Sequence, residues 1–257
     1  MKIHDVYDEI DRLAPFATQA DFDNAGLLTG HPEWEVTGIH VALDVSQRVL
    51  DEAEEAGANL LVTHHPMMFG ARKRMTETDC EGRLLCRMIR GRMGLISAHT
   101  NLDAAPGGIN DVLARLCGLT DISGEGYLRI GTLPEGTTAS SLPAALEAAL
   151  HSVVRVCGQL PSEKPLHRLA VSSGAGSESW EEAAALGCDC FLTGEMKHHH
   201  ALAMADAGIL ALEAGHFATE EPGIFALADT LQTLSDALQW NVRVTLSRCG
   251  GYAPPQN

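Results

Sequence analysis

The chain has 257 residues, 45% of them hydrophobic, and 18 Lys plus Arg stand against 34 Asp plus Glu for a formal charge of −16. That length is ample to bury the core of one large domain or two smaller intertwined ones, and that charge repels polyanions, which disfavours nucleic acid as a partner. The seven cysteines are odd in number and lack a C-x-x-C pair, so they suggest neither a disulfide framework nor a thiolate zinc site and fit a reducing cytoplasm.

The opening residues carry Asp5, Asp8 and Glu9, which a signal peptide's apolar stretch excludes. No run approaches the roughly 18 to 20 apolar residues of a membrane span. Ile3, Val6, Ile10 and Leu13 lie at helical spacing before Pro15 and predict an amphipathic helix over 2–14. Asp23-Asn24-Ala25-Gly26 signals a turn into a short strand that Gly30 ends. A stronger strand follows over 38–44, then a helix capped by Ser46 and stopped at Gly57, then a strand over 59–63, which together make a β-α-β unit with parallel strands. Pro66 closes the apolar run Asn59 to Thr63 directly after His64 and His65. Neighbouring side chains on a strand point to opposite faces, so two adjacent imidazoles share a site only where the chain leaves the strand. That exit is the edge where open α/β sheets keep their chemistry.

Beyond the histidines comes a basic loop with Arg72, Lys73 and Arg74, a helix over 80–90, and a strand from Gly94 that ends in His99-Thr100-Asn101-Leu102-Asp103. Pro106-Gly107-Gly108 opens the next helix. Gly, Ser, Thr and Pro enrichment over 120–165 marks the start of a second lobe, with a helix near 140–151 and a strand near 153–157. The earlier rhythm then returns as strand 167–172, helix 178–186, strand 189–192, helix 196–207 and strand 208–213. A helix over 221–238 and a strand over 240–246 close the fold, with a loose tail over 250–257.

This return is an internal repeat. Glu54 to His64 parallels Ala183 to Thr193, and Gly94-Leu95-Ile96 leading to His99-x3-Asp103 parallels Gly208-Ile209-Leu210 leading to His216-x3-Glu220. The expected fold is therefore α/β, two intertwined domains related by duplication, 1–120 and 121–257, each with a mixed, mostly parallel sheet flanked by helices. His64, His65, Asp103, His216 and Glu220 each stand just beyond an expected strand. Three imidazoles and two carboxylates suit zinc, iron, manganese, nickel or cobalt. Spacing of i,i+4 also stabilises plain surface helices, but its recurrence after matching strands favours a metal site. Glu195 and His99 stand beside these residues, where hydrogen bonds to ligands or proton transfer would be useful, although either could be a simple cap. His198-His199-His200 reads as a solvated helix face or a metal tract, Pro106-Gly107-Gly108 as a helix start or an anion cradle, and the Arg72 to Arg74 cluster as a solvated loop or a phosphate grip. Met67, Met68 and Met75 read as packing.

At these residues the chain resembles a known family, the NGG-interacting-factor-three-like proteins, also called GTP cyclohydrolase 1 type 2 homologues or dinuclear-metal-centre hexameric proteins. The resemblance runs through Asp23-Asn24-x-Gly26, His64-His65, His99-Thr100-Asn101-Leu102-Asp103, Gly107-Gly108-Ile109-Asn110-Asp111, Thr193-Gly194-Glu195 and Gly215-His216-x3-Glu220, so it covers nearly the whole chain. The family usually has Trp where Phe22 stands, and the large central insertion of some relatives has no room here. The resemblance implies two divalent metal ions per chain: His65 and Asp103 on one, His64 and His216 on the other, and Glu220 bridging both. It also implies a ring-shaped homohexamer. The expected activity is metal-assisted attack of water on a small nucleotide or phosphorylated substrate, in its sharpest form GTP ring opening, with Glu195 or His99 moving a proton. The competing expectation is a metal-handling, chaperone-like ring without catalysis. The residues that would bind substrate are not legible.

Overall fold

Ile3, Val6 and Ile10, read as one helix face, are all fully buried, and the helix they belong to, α1, runs Ile3–Leu13. It opens a computed structural model that describes residues 1–158 and 161–249. The tail expected over 250–257 lies outside the described residues. The chain divides into two units, Met1–Ala105 with Ile224–Asn257, and Pro106–Gly223.

The first unit continues through β1 (Gly26–Thr29), β2 (Ile39–Ala42), α2 (Gln47–Glu55), β3 (Leu60–Thr63), α3 (Cys80–Arg90), β4 (Gly94–Ser97) and α4 (Thr100–Ala104). Ser46 caps α2 as expected, its side chain accepting from the Val49 N–H. Every residue of β2, β3 and β4 is buried, as their unbroken apolar runs require of strands covered on both faces. Ala42, Leu61 and Leu95 pack on one face against Val49, Leu50 and Ala53 of α2 and Met88 of α3. On the other, Ile3 of α1 lies so close to Gly94 that a Cβ there would come within 2.6 Å of its Cδ1.

The second unit holds α5 (Ile109–Leu116), β5 (Thr120–Ser123), β6 (Arg129–Thr132), α6 (Leu142–Leu150), β7 (Arg155–Val156), β8 (Arg168–Ser172), α7 (Trp180–Ala185), β9 (Cys190–Thr193), α8 (His198–Asp206) and β10 (Leu210–Glu213). Strand alternation divides its core. Leu169, Val171, Cys190, Leu192, Leu210 and Leu212 face α5 and α6, whereas Ala170, Phe191 and Ala211 face Ala183 of α7 and Met204 of α8. A long helix, α9 (His216–Ala237), begins in this unit and ends in the first, and β11 (Val244–Leu246) is the last element among the described residues.

The sheet orders are β1-β4-β3-β2-β11 and β5-β6-β8-β9-β10-β7. Both units are thus α/β, with a mixed sheet flanked by helices. The strands β2, β3 and β4 are mutually parallel, as are β8, β9 and β10, and each trio carries an antiparallel edge strand on its last member, β1 on β4 and β7 on β10. This is the duplication seen in the sequence. The second sheet is less parallel than expected, because β5, β6 and β8 pair antiparallel.

The domain boundary differs from the expected 120/121. Residues 106–120 belong to the second unit, and the C-terminal segment returns to the first, where β11 pairs in parallel with β2. Hydrophobic runs mark strands without naming their neighbours, so this return was illegible. Residues 216–220 are helical too, since α9 starts well before the expected 221 and takes Pro222 inside it.

His40 of β2 is buried where β11 returns, with Nδ1 2.8 Å from Thr245 Oγ1 and Nε2 3.5 Å from Glu52 Oε2. Glu52 is itself held by Ser247 Oγ at 2.6 Å and the Arg248 N–H at 3.1 Å. Burial drives the His40 imidazole below its ordinary value, against the pull of Glu52. Below the ordinary histidine value the unfolded chain therefore binds a proton that the folded chain refuses, and stability falls as pH drops through that value toward the lower folded one. His40→Gln is expected to flatten the loss of stability between about pH 7 and pH 5, measured as urea midpoints across that range.

Candidate metal centre

The β3 backbone leaves its sheet gradually, and that brings two adjacent imidazoles together. Past Thr63, the His64 N–H still reaches Ala42 O at 3.3 Å and the His65 N–H reaches Leu43 O at 3.0 Å. The two rings end with centroids 5.0 Å apart. His64 is fully buried with Nδ1 2.8 Å from Ala98 O, and His65 Nδ1 lies 2.8 Å from Asp44 Oδ1.

The segment after β4 brings a third imidazole to the same place. His99 precedes α4, its centroid 5.0 Å from that of His64 and 5.6 Å from that of His65, and its Nδ1 is 2.8 Å from Asp23 Oδ1. One ligand atom from each of His64, His65 and His99 falls within 4.8 Å of the others. Asp103, one turn along α4, places Oδ1 3.6 Å from His64 Nε2. Burial, then the neighbouring His64, holds His99 below the ordinary imidazole value despite Asp23. Burial would raise the Asp23 carboxyl, but hydrogen bonds from Thr100 and His99 outweigh it and leave the group below its ordinary value.

In the second unit the first turn of α9 stacks His216 on Glu220, with Nε2 and Oε2 3.1 Å apart. His216 Nδ1 lies 2.7 Å from Glu195 Oε1, beyond the end of β9. Glu220 is buried. Two glycines make room for it and its helix: a Cβ on Gly174 would lie 2.1 Å from Glu220 Oε1 and 3.1 Å from His216 Nε2, and one on Gly194 would lie 2.7 Å from His216 Cα.

Strand register fixes how the repeats correspond. Ala42 pairs with Thr63 and Ser172 with Thr193, so Asp44 and His65 of the first repeat match Gly174 and Glu195 of the second. Leu60 pairs with Gly94 and Cys190 with Leu210, so Gly94 corresponds to Leu210 rather than to Gly208. The two His-x3-acid motifs are thereby offset by one residue, His99 matching Gly215. The spacing recurs without strict equivalence.

All four imidazoles share one feature: Nδ1 is committed to a carboxylate or carbonyl oxygen, which fixes the ring and directs Nε2 to serve as the ligating atom. Carboxylates beside such rings fit borderline divalent cations. Glu195 bonds the ring of a candidate ligand, and His99 stands among the candidate ligands themselves. Asp23, Asp44 and Gly174 were missed as site residues. Asp44 lies just past β2 at the same sheet edge as His64 and His65, a signal the strand-end rule could have found.

The remaining candidates lie elsewhere or are engaged. Arg72 pairs with Asp79, which caps α3, and with Glu81 in its first turn, so it is tied to its own loop. The Gly107 N–H donates to Asp111 Oδ2 at 2.6 Å, closing the Pro106-Gly107-Gly108 turn on its own helix. His198, His199 and His200 open α8, with His200 Nδ1 3.1 Å from Ser177 Oγ, and among the described residues they join no cluster of three metal-ligating groups. Met67 packs on the first unit's core, whereas Met75 is exposed. All seven cysteines are free thiols. Among the described residues no helix is long and apolar enough to cross a membrane.

Comparison with known proteins covers the same span. Residues 1–250 match the Duf34/NIF3 (NGG1p interacting factor 3) family. A Clostridium acetobutylicum protein named GTP cyclohydrolase 1 type 2 homolog is 30% identical over 259 residues, covering 96% of each chain. A Streptomyces coelicolor protein of the same name is 32% identical over 96% of this chain and 91% of its own. Among solved structures, Staphylococcus aureus protein SA1388 superposes with a TM-score of 0.92 at 26% identity, over 100% of this chain and 99% of that one.

Proposed function

Because the chain belongs to the Duf34/NIF3 family, we propose that it is a dinuclear metal-dependent hydrolase. In this reading His65 and Asp103 hold one divalent ion, His64 and His216 hold the other, and Glu220 serves both. The ions are zinc, iron, manganese or nickel. The observation that carries the reading is the shared restraint of the imidazoles, each fixed at Nδ1 by an oxygen acceptor.

When bound, such ions supply Lewis acidity and lower the pKa of water at neutral pH. The chain supplies the positioning. Asp44 and Glu195 hold the rings of His65 and His216, and His99, set by Asp23, moves a proton in the doubly loaded centre. The substrate is a small nucleotide or phosphorylated compound. The name shared by the curated relatives makes hydrolytic opening of the GTP imidazole ring, with release of formate, the first reaction to assay. We propose further that the chain works in the cytoplasm as a homo-oligomer, a hexamer by resemblance, which light scattering on purified protein tests.

The decisive experiment is metal analysis of protein purified without chelators, coupled to formate release from GTP, with Glu220→Gln alongside. About two metals per chain and formate production that falls to background in Glu220→Gln are expected. Two metals without turnover on GTP, other nucleotides or phosphoesters would overturn the hydrolase and leave a metal-handling protein.

A further inference from the structure

The first unit carries more donors than its share of a dinuclear centre needs. His64, His65 and His99 bring three ligand atoms within 4.8 Å of one another, and all three residues belong to the segment Met1–Ala105. Each ring is held at Nδ1 by a separate acceptor: Ala98 O, Asp44 Oδ1 and Asp23 Oδ1, each at 2.8 Å. Phe69 adds an edge-on contact to His99, with ring centroids 5.5 Å apart. Three imidazoles, each fixed at Nδ1 and each bringing a ring nitrogen this close to the other two, constitute the protein part of a three-histidine metal site.

We infer that the singly loaded chain holds its one metal ion on His64, His65 and His99, in a site that the first unit builds by itself. This goes beyond the doubly loaded centre proposed above and needs no turnover. His99 is then a metal ligand in the one-metal state and is released for proton transfer only when the second ion arrives with His216 and Glu220. Loading has an order, first unit before second. The chemistry of the site also selects its occupant: three neutral imidazoles favour zinc, cobalt, nickel or ferrous iron over magnesium and calcium, which require oxygen ligands.

The anchoring of His99 separates this site from a chance cluster. Asp23 has a fully buried side chain that accepts from His99 Nδ1, from the Asn24 N–H at 2.7 Å and from the Thr100 N–H at 3.0 Å. The loop that carries Asp23 is in turn tied down by Asn24 Nδ2, which donates to Met68 O at 2.6 Å. A buried carboxylate behind an imidazole is the arrangement that fixes metal-ligating histidines in other proteins.

The test uses the full chain with His216→Ala and Glu220→Gln combined, which removes the second unit's donors. It is stripped of metal and titrated with Co2+, whose visible absorption reports nitrogen ligation. Uptake of about one equivalent with a ligand-field band is expected, and adding His99→Ala should weaken it by more than the 10- to 100-fold typical of losing an outer-shell partner. His99→Asn, whose amide nitrogen takes the place of Nδ1 and can still donate to Asp23, guards against a folding failure and should weaken binding likewise. Undiminished Co2+ affinity in a folded His99 variant would overturn the inference, as would no uptake by the His216→Ala/Glu220→Gln protein. Neither result bears on the hydrolase reading, which the wild-type formate assay decides separately.

Discussion

Gly174→Ala is expected to lower bound metal from about two ions per chain to about one. Gly174 stands just past β8 with φ +54°, and the Cβ of an alanine there would lie 2.1 Å from Glu220 Oε1 and 3.1 Å from His216 Nε2. The loop has little room to retreat: the Gly174 N–H donates to Thr219 Oγ1 at 3.0 Å and Gly174 O accepts from the Glu195 N–H at 2.8 Å. Glu220 would have to leave its position, and His216 with it, while the first unit keeps its own donors. Left-handed backbone at a non-glycine residue adds a cost of about 1–2 kcal/mol, and the crowding about 1–3 kcal/mol more. Gly208→Ala separates the two effects, because Gly208 has φ +72° and nothing within 4 Å of the added Cβ. It should show the backbone cost in a urea melt and retain both metals. Two metals in Gly174→Ala would show that Glu220 can move away without loss, and would remove it from the proposed ligand set.

The same position shows how the duplication was put to use. In the first repeat the matching residue is Asp44, whose carboxylate holds His65. In the second, that space belongs to Glu220, and glycine is the residue that yields it. One scaffold therefore presents a carboxylate from the loop after β2 in one copy and from α9 in the other.

Much of this was legible because parallel sheets put function at strand ends. His64 and His65 were readable from one apolar run and one proline, and β2, α2, β3, α3 and β4 follow from period and caps alone. Glu195 was readable as a neighbour of the site, but its bond to His216 Nδ1 depends on where β9 lies beside β10, which no local pattern encodes. Asp23 was passed over as a turn residue because its partners His99 and Thr100 are more than seventy positions away. The C-terminal return failed for the same reason: β11 has the spacing of any short strand, and only pairing with β2 assigns it to the first unit. Propensity and periodicity are local, whereas sheet order and side-chain pairing are decided by the whole core.

Asp23→Ala should be the most destabilising single change at the candidate centre, at about 3–5 kcal/mol, because it strips several donors of one shared buried acceptor. The Asp23 side chain is fully buried and serves as acceptor for His99 Nδ1, the Asn24 N–H, the Thr100 N–H and the Thr100 hydroxyl. Truncation leaves those donors without their acceptor around a side chain that is itself fully buried, and each unmade bond of this kind costs on the order of 1–3 kcal/mol. Asp23→Asn should recover only part of the loss, because its amide nitrogen replaces one accepting oxygen with a donor facing other donors. Thr100→Val removes a hydroxyl that donates to Asp23 and accepts from the Ala20 N–H at 3.0 Å, and should cost about 1–2 kcal/mol. Urea denaturation of the three variants at neutral pH orders them. A cost below about 1 kcal/mol for Asp23→Ala would mean that water replaces the carboxylate, and the rigid anchoring attributed to His99 would fail with it. If the order holds, Asp23 couples the stability of the first unit to the orientation of an imidazole in its metal-binding cluster, and loosening one loosens the other.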